Sequence, residues 1–221
     1  MFTFRNLYAL PLLGLLSSGC GEPVIIAGET PTLNGQIAGW SRGTGYSVEA
    51  VIRLPDGVGM PLTTAEVSAT GIFKLELPSD ESVAMYLTPT LTPQLKKCMS
   101  RPTISPENMN SGSLLLSVKR TGELDTYLLL YNRQLTSDPQ MGDVQGDILY
   151  ADRTGTFVGR AECTTVAGTV ITDNNLQLHK GWNYVVTKIG EFSSGPDGTR
   201  IVSSSETAPS LPLEVQWQVM K

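Results

Sequence analysis

Ser47-Val48-Glu49-Ala50-Val51-Ile52-Arg53-Leu54 is the stretch that decides the fold. Val48, Ala50, Ile52 and Leu54 fall on one side of an extended chain, and Ser47, Glu49 and Arg53 on the other. This is the period of two that marks a half-buried strand. A helix would need apolar residues recurring at three and four, and the stretch lacks them. Pro55-Asp56-Gly57 then turns the chain. Ala65 to Thr70 and Ile72 to Leu77 repeat the pattern, with Phe73, Leu75 and Leu77 inward against Lys74 and Glu76 and a break at Thr70-Gly71. At the other end, Leu213, Val215, Trp217 and Val219 alternate with Glu214, Gln216 and Gln218, which predicts a last strand closing a sheet.

Between these ends the same signature predicts strands over Ser113 to Lys119, Glu123 to Asn132, Asp147 to Asp152 and Thr156 to Thr164. Further strands are expected over Val166 to Thr172, Asn175 to His179, Trp182 to Glu191 and Thr199 to Ser204. Gly122, Asp143, Gly155, Gly168, Asn174-Asn175, Lys180-Gly181 and Pro196-Asp197-Gly198 punctuate them as hairpin turns. The 22 glycines and 14 prolines are spread without a period, as turns between short strands would be. The expected fold is therefore all-β with little helix, as one or two antiparallel β-sandwich or barrel modules. Ser79-Asp80-Glu81 suits one short helical turn before Ala84 to Leu87. Pro89, Pro93, Pro102 and Pro106 deny a central strand to the segment around them.

The N-terminus has a different texture. A single charge at Arg5 precedes an apolar run from Leu7 to Leu16, interrupted only by Pro11 and Gly14. That run is about 10 residues where a membrane span needs about 20, so it is expected to be a secretory signal peptide and not an anchor helix. Residues 1–19 are thus assigned to the signal and 20–32 to a tether. A small sandwich is expected at 33–90, a Pro-rich linker at 91–112 and a second β domain at 113–221. Loss of residues 1–19 leaves 202 of the 221 residues and, with Arg5 gone, moves the formal charge from −5 to −6. An acidic chain without a basic run is a poor match to nucleic acid.

Leu15-Leu16-Ser17-Ser18-Gly19-Cys20 resembles the lipobox of bacterial lipoproteins. That resemblance implies diacylation of Cys20, with attachment to the membrane of the cell envelope through its lipid (palmitate or a similar acyl chain). The alternative is an ordinary cleavage site whose Cys20 pairs later. Three cysteines in an exported chain leave one to be explained. If Cys20 carries lipid, Cys98 and Cys163 remain as an even pair, expected as a disulfide in an oxidising compartment against the alternative of two reduced thiols. A 65-residue separation gives the bond roughly 4 kcal/mol in the chain-entropy model.

Two further resemblances follow from quoted residues. Gly35-Gln36-Ile37-Ala38-Gly39, Val48-Glu49-Ala50-Val51 and Thr70-Gly71-Ile72-Phe73-Lys74-Leu75-Glu76-Leu77-Pro78 are similar to the carboxypeptidase regulatory-like, or transthyretin-like, β-sandwich over about residues 33 to 90. This implies an accessory or interaction sandwich with no catalytic residue to carry over. Leu176-Gln177-Leu178-His179-Lys180-Gly181-Trp182-Asn183 resembles a hairpin of bacterial envelope lipoproteins, which implies location and architecture only.

The chemistry-bearing residues are sparse. His179 is the sole histidine, and no Gly-x-Ser-x-Gly elbow accompanies it, so a surface role is expected. Asp138, Asp143, Asp147 and Asp152 gather in one region, but their spacings of five, four and five do not make a calcium loop. No Cys/His cluster offers a zinc site, so no metal and no cofactor are expected. The favoured function is a lipid-anchored structural or protein-interaction module of the envelope that is not an enzyme. The alternative is a binder of carbohydrate or another small ligand, with Trp40, Tyr46, Tyr127 and Tyr131 as its exposed aromatic candidates. A hydrolase built on the aspartates ranks last.

Overall fold

A computed structural model describes residues 31–53, 59–90, 92, 95, 98–134, 139–165, 168–195 and 198–220. The expected signal peptide, Cys20, nearly all of the tether, Leu54, the 55–57 turn, Pro93, Asp138, Val166, Pro196 and Asp197 lie outside these residues.

The fold is all-β, with open sheets packed in a sandwich-like arrangement. The first strands are β1 (Thr32–Gln36), β2 (Tyr46–Arg53), β3 (Gly59–Val67) and β4 (Ile72–Glu76), followed by the single helix described, α1 (Asp80–Ala84). Short pieces β5 (Thr88–Pro89) and β6 (Thr103–Ser105) lead to β7 (Asn110–Arg120), β8 (Glu123–Tyr131) and β9 (Val144–Ala151). Long strands β10 (Gly155–Thr165), β11 (Gly168–Leu178), β12 (Gly181–Gly195) and β13 (Gly198–Ala208) precede β14 (Gln216–Val219). Phe73, Leu75 and Leu77 are buried as their alternation requires, as are Val48, Ala50 and Ile52. Ser79 precedes α1 at the expected place, yet its hydroxyl meets that of Ser82 and caps no backbone amide.

The main sheet runs β3-β2-β7-β8-β9-β12-β13-β11-β10-β6, while β1 and β4 pair antiparallel across the core. β2 pairs with β7, so the 33–90 and 113–221 stretches are hydrogen-bonded to each other. Their apolar residues also share one core, in which Leu33, Phe73 and Leu75 join Leu116, Ile148 and Trp217. A smaller core lies on the opposite face of β9 and β12, where Leu95, Ile104 and Met109 from the proline-rich segment cover Ala151, Leu176 and Val185. The prolines permit only short edge pieces there, and Cys98 is tied to Cys163 of β10 by a disulfide with Cα atoms 4.4 Å apart. Ser100 also bridges to Glu162, so this segment runs along the edge of β10.

Four local expectations are corrected. Asn174-Asn175 does not turn the chain but continues β11, where the Asn174 amide donates to the carbonyls of Gly159 and Thr172 and pairing on both edges overrides the turn preference. Leu213 and Glu214 lie in a turn with Leu213 exposed, and the last strand begins only at Gln216. β11 and β12 do not form a hairpin, because β13 is inserted between them, parallel to β11 and antiparallel to β12. Gln218, expected outward, is buried where β14 pairs with β8.

Candidate functional site

His179 sits in the two-residue connection between β11 and β12 and is exposed. Asn183, whose role the sequence did not reveal, holds this connection. Its Oδ1 accepts from the His179 amide at 2.8 Å, and its Nδ2 donates to the carbonyls of His179 and Gly181, each at 2.8 Å. Gly181 adopts φ +101°, a conformation a side chain would resist. Trp182 then enters the main core and meets Tyr150 edge to face, with ring centroids 5.1 Å apart. The Lys-Gly-Trp-Asn sequence is thus a corner held by an amide and an indole.

Of the four aspartates gathered in the sequence, the three described are Asp143, Asp147 and Asp152, and they sit differently. Asp143 is buried and takes a two-pronged ion pair from Arg133 at 2.6 and 2.7 Å; that guanidinium, aided by the Gln140 amide, holds its carboxyl below the usual range. Asp152 accepts from Arg153 and from the amide and side chain of Asn110, clamping β7 to the end of β9, and its pKa is likewise lowered. Among the described residues no cation pairs with Asp147. Burial pushes its carboxyl up to about 6, opposed only by hydrogen bonds from the Gln145 side-chain amide at 3.3 and 3.2 Å. Among the described residues no group of three or more His, Cys, Asp or Glu could hold a metal.

Asp147 belongs to a polar band. Cross-strand partners point to the same face of a sheet, so the register places Tyr131, Gln145, Thr187, Ser205 and Asn174 in one row across β8, β9, β12, β13 and β11. The next row toward the strand tips holds Ile189, Ser203, Thr172 and Ala161. Thr187 and Ser205 share a hydrogen bond of 2.8 Å, and Thr172 and Ser203 one of 3.0 Å. On the other side of the band, Asp147 starts the row that continues through Val185 and Thr207, and Val185 belongs to the smaller core. Ser203 and Ser205 are buried while Ser204 and Glu206 beside them are exposed, so this face is the sheltered one.

The aromatic candidates divide. Trp40 and Tyr46 meet edge to face at 5.1 Å, and the Arg42 guanidinium lies 5.7 and 5.9 Å from the two rings. Arg42 is also ion-paired to Asp125. Tyr127 lies opposite Ser117 on β7. Tyr131, expected to be exposed, is 5 % exposed, and burial beside Asp143 raises its pKa. Burial follows from its place on β8 between β9 and β14, which a strand pattern alone does not specify.

Comparison with protein-family models, with curated proteins and with solved structures found no match.

Proposed function

We propose that this chain is an exported protein, lipid-anchored at Cys20 in a bacterial cell envelope, where it acts as a structural or protein-interaction module. The observation that carries the reading is the Cys98–Cys163 disulfide, a bond that persists in oxidising compartments. It accounts for two of the three cysteines and leaves Cys20, behind an apolar run and two small residues, for lipid. A long sheet stapled at its edge suits work by contact, because its faces are fixed before a partner arrives.

Growth with a labelled fatty acid tests the anchor. The wild type is expected to take up label and stay with membranes, since two acyl chains anchor stably. Cys20→Ala is expected to take up none and to be recovered as soluble exported protein. A Cys20→Ala protein that remains labelled and membrane-bound contradicts the reading.

A further inference from the structure

The four-stranded part of the sheet formed by β10, β11, β13 and β12 has two unlike faces. One is charged: Arg160 pairs with Asp173, Lys188 with Glu206 and Arg200 with Glu191, and Glu162 lies among them. These pairs are half-exposed and solvated, as an outer face should be. The opposite face carries no charged residue among the described positions of these four strands. Instead it presents, in order from the strand tips, an apolar row of Phe192, Ile201 and Val170, the two hydroxyl and amide rows, and then the smaller core. Val170 is 40 % exposed, and Phe192 and Ile201 are half-exposed, so the apolar row is open to solvent.

Asp147 stands at one end of this uncharged face with unused capacity. A carboxylate offers about four acceptor positions, and among the described residues the side-chain amide of Gln145 is the hydrogen-bond donor that reaches it. A half-buried carboxylate with so few donors is costly to keep unless a ligand brings more. Beyond the end of β9, the neighbouring Asp143 is neutralised by Arg133 and adds no free charge.

We propose that this band is a binding site for a neutral oligosaccharide, whose hydroxyls meet Asp147, Gln145, Thr187 and Asn174 while its C–H faces lie against Phe192 and Ile201. A sugar chain is the occupant that matches a surface of amides, hydroxyls and apolar side chains with one carboxylate, Asp147, at its edge. It presents donors and acceptors around each ring and apolar faces between them, and it needs no counter-charge. From Thr207, in the row of Asp147, to Ile201 is six residues along β13, or about 20 Å at roughly 3.4 Å each, which fits a chain of several sugars better than one. The inference goes beyond the anchored-module reading and does not depend on the lipid at Cys20.

The test is calorimetric titration of the purified full chain, in a detergent that carries no sugar, with maltohexaose, chitohexaose and the acidic hexagalacturonate. At least one neutral hexasaccharide is expected to bind saturably with a dissociation constant below about 1 mM. Asp147→Asn and Thr187→Val are each expected to weaken that binding about 10-fold or more, while Trp40→Ala leaves it unchanged. Asp147→Asn keeps the side-chain shape and removes a half-buried charge, so loss of fold does not confound the result. Failure of both neutral probes to bind, tighter binding of hexagalacturonate, or binding lost in Trp40→Ala but kept in Asp147→Asn overturns the proposal.

Discussion

The indole N–H of Trp182 donates to the carbonyl of Pro78 across 3.2 Å and 104 residues of chain, inside the main core. Trp182 is the second residue of β12, and Pro78 directly follows Leu77, the last inward residue of the 72–77 stretch, so one side chain joins the 33–90 stretch to the 113–221 stretch.

Replacing that side chain separates packing from hydrogen bonding. Trp182→Phe is expected to cost about 1–3 kcal/mol, because the Pro78 carbonyl loses its donor in a buried place. Trp182→Ala is expected to cost about 3–5 kcal/mol through the cavity beside Tyr150. Urea denaturation checks both, and a single transition lost from both halves together is expected for the shared core.

Asp147→Asn is expected to change the pH dependence of stability. The carboxyl titrates near 6 when folded, above its ordinary value, so the wild type is favoured by this group below about pH 4 and loses that contribution as pH rises through 6. The asparagine does not ionise. Above pH 7 the variant is therefore expected to be more stable than the wild type, on the order of 2 kcal/mol, with the difference gone at pH 4. Thermal unfolding across that range measures it, and a wild type and variant equally stable at both pH 4 and pH 8 would count against a half-buried carboxyl with a raised pKa.

The Cys98–Cys163 bond is expected to contribute roughly 3–4 kcal/mol, which the double variant Cys98→Ser, Cys163→Ser loses. Cleavage after the exposed Glu107 by a glutamate-specific protease falls inside the closed loop. Non-reducing electrophoresis is expected to show one band after such a cut, and two after a reductant is added.

Asn183 and His179 are neighbours with opposite expectations. Asn183→Ala removes three hydrogen bonds of 2.8 Å and is expected to destabilise by about 1–3 kcal/mol. His179→Ala, with its side chain in solvent, is expected to stay within about 0.5 kcal/mol of the wild type.

Much of the fold was legible where burial follows local alternation. Val48, Ala50 and Ile52, and Phe73, Leu75 and Leu77, could be read one strand at a time because a strand with one wet face declares its inward residues. What escaped was partner identity, which is non-local. Nothing in Leu176 to Asn183 tells that β13 will return between β11 and β12 in parallel with β11, so the corner looked like a hairpin. Asn174-Asn175 looked like a turn because asparagine favours turns, and only the strands on either side make it extended. The band was hidden for the same reason. Gln145, Thr187, Ser205 and Asn174 are unremarkable alone and become a row only in register. Asp147 was grouped with the neighbouring aspartates, and what sets it apart, an arginine beside Asp143 and another beside Asp152 but a glutamine amide beside Asp147, is seen only in the fold.

The central claim is that the module works by contact and not by turnover, and the polar band is where it can be tested most directly. Glycoside cleavage in its common form uses two carboxyl groups about 5 to 10 Å apart, one acting as an acid. Asp143, the nearest in sequence, lies four residues along the chain from Asp147, about 13 Å in an extended strand, and is held ionised by Arg133. The measurement is the release of new reducing ends when the purified full chain is incubated with maltohexaose, chitohexaose and isolated envelope polysaccharide at pH 5 to 8. The expected result is none above the rate of a denatured control, with bound sugar recovered intact. Reducing ends released by the wild type and abolished by Asp147→Asn, with its fold unchanged, would contradict the account and make the band an active site.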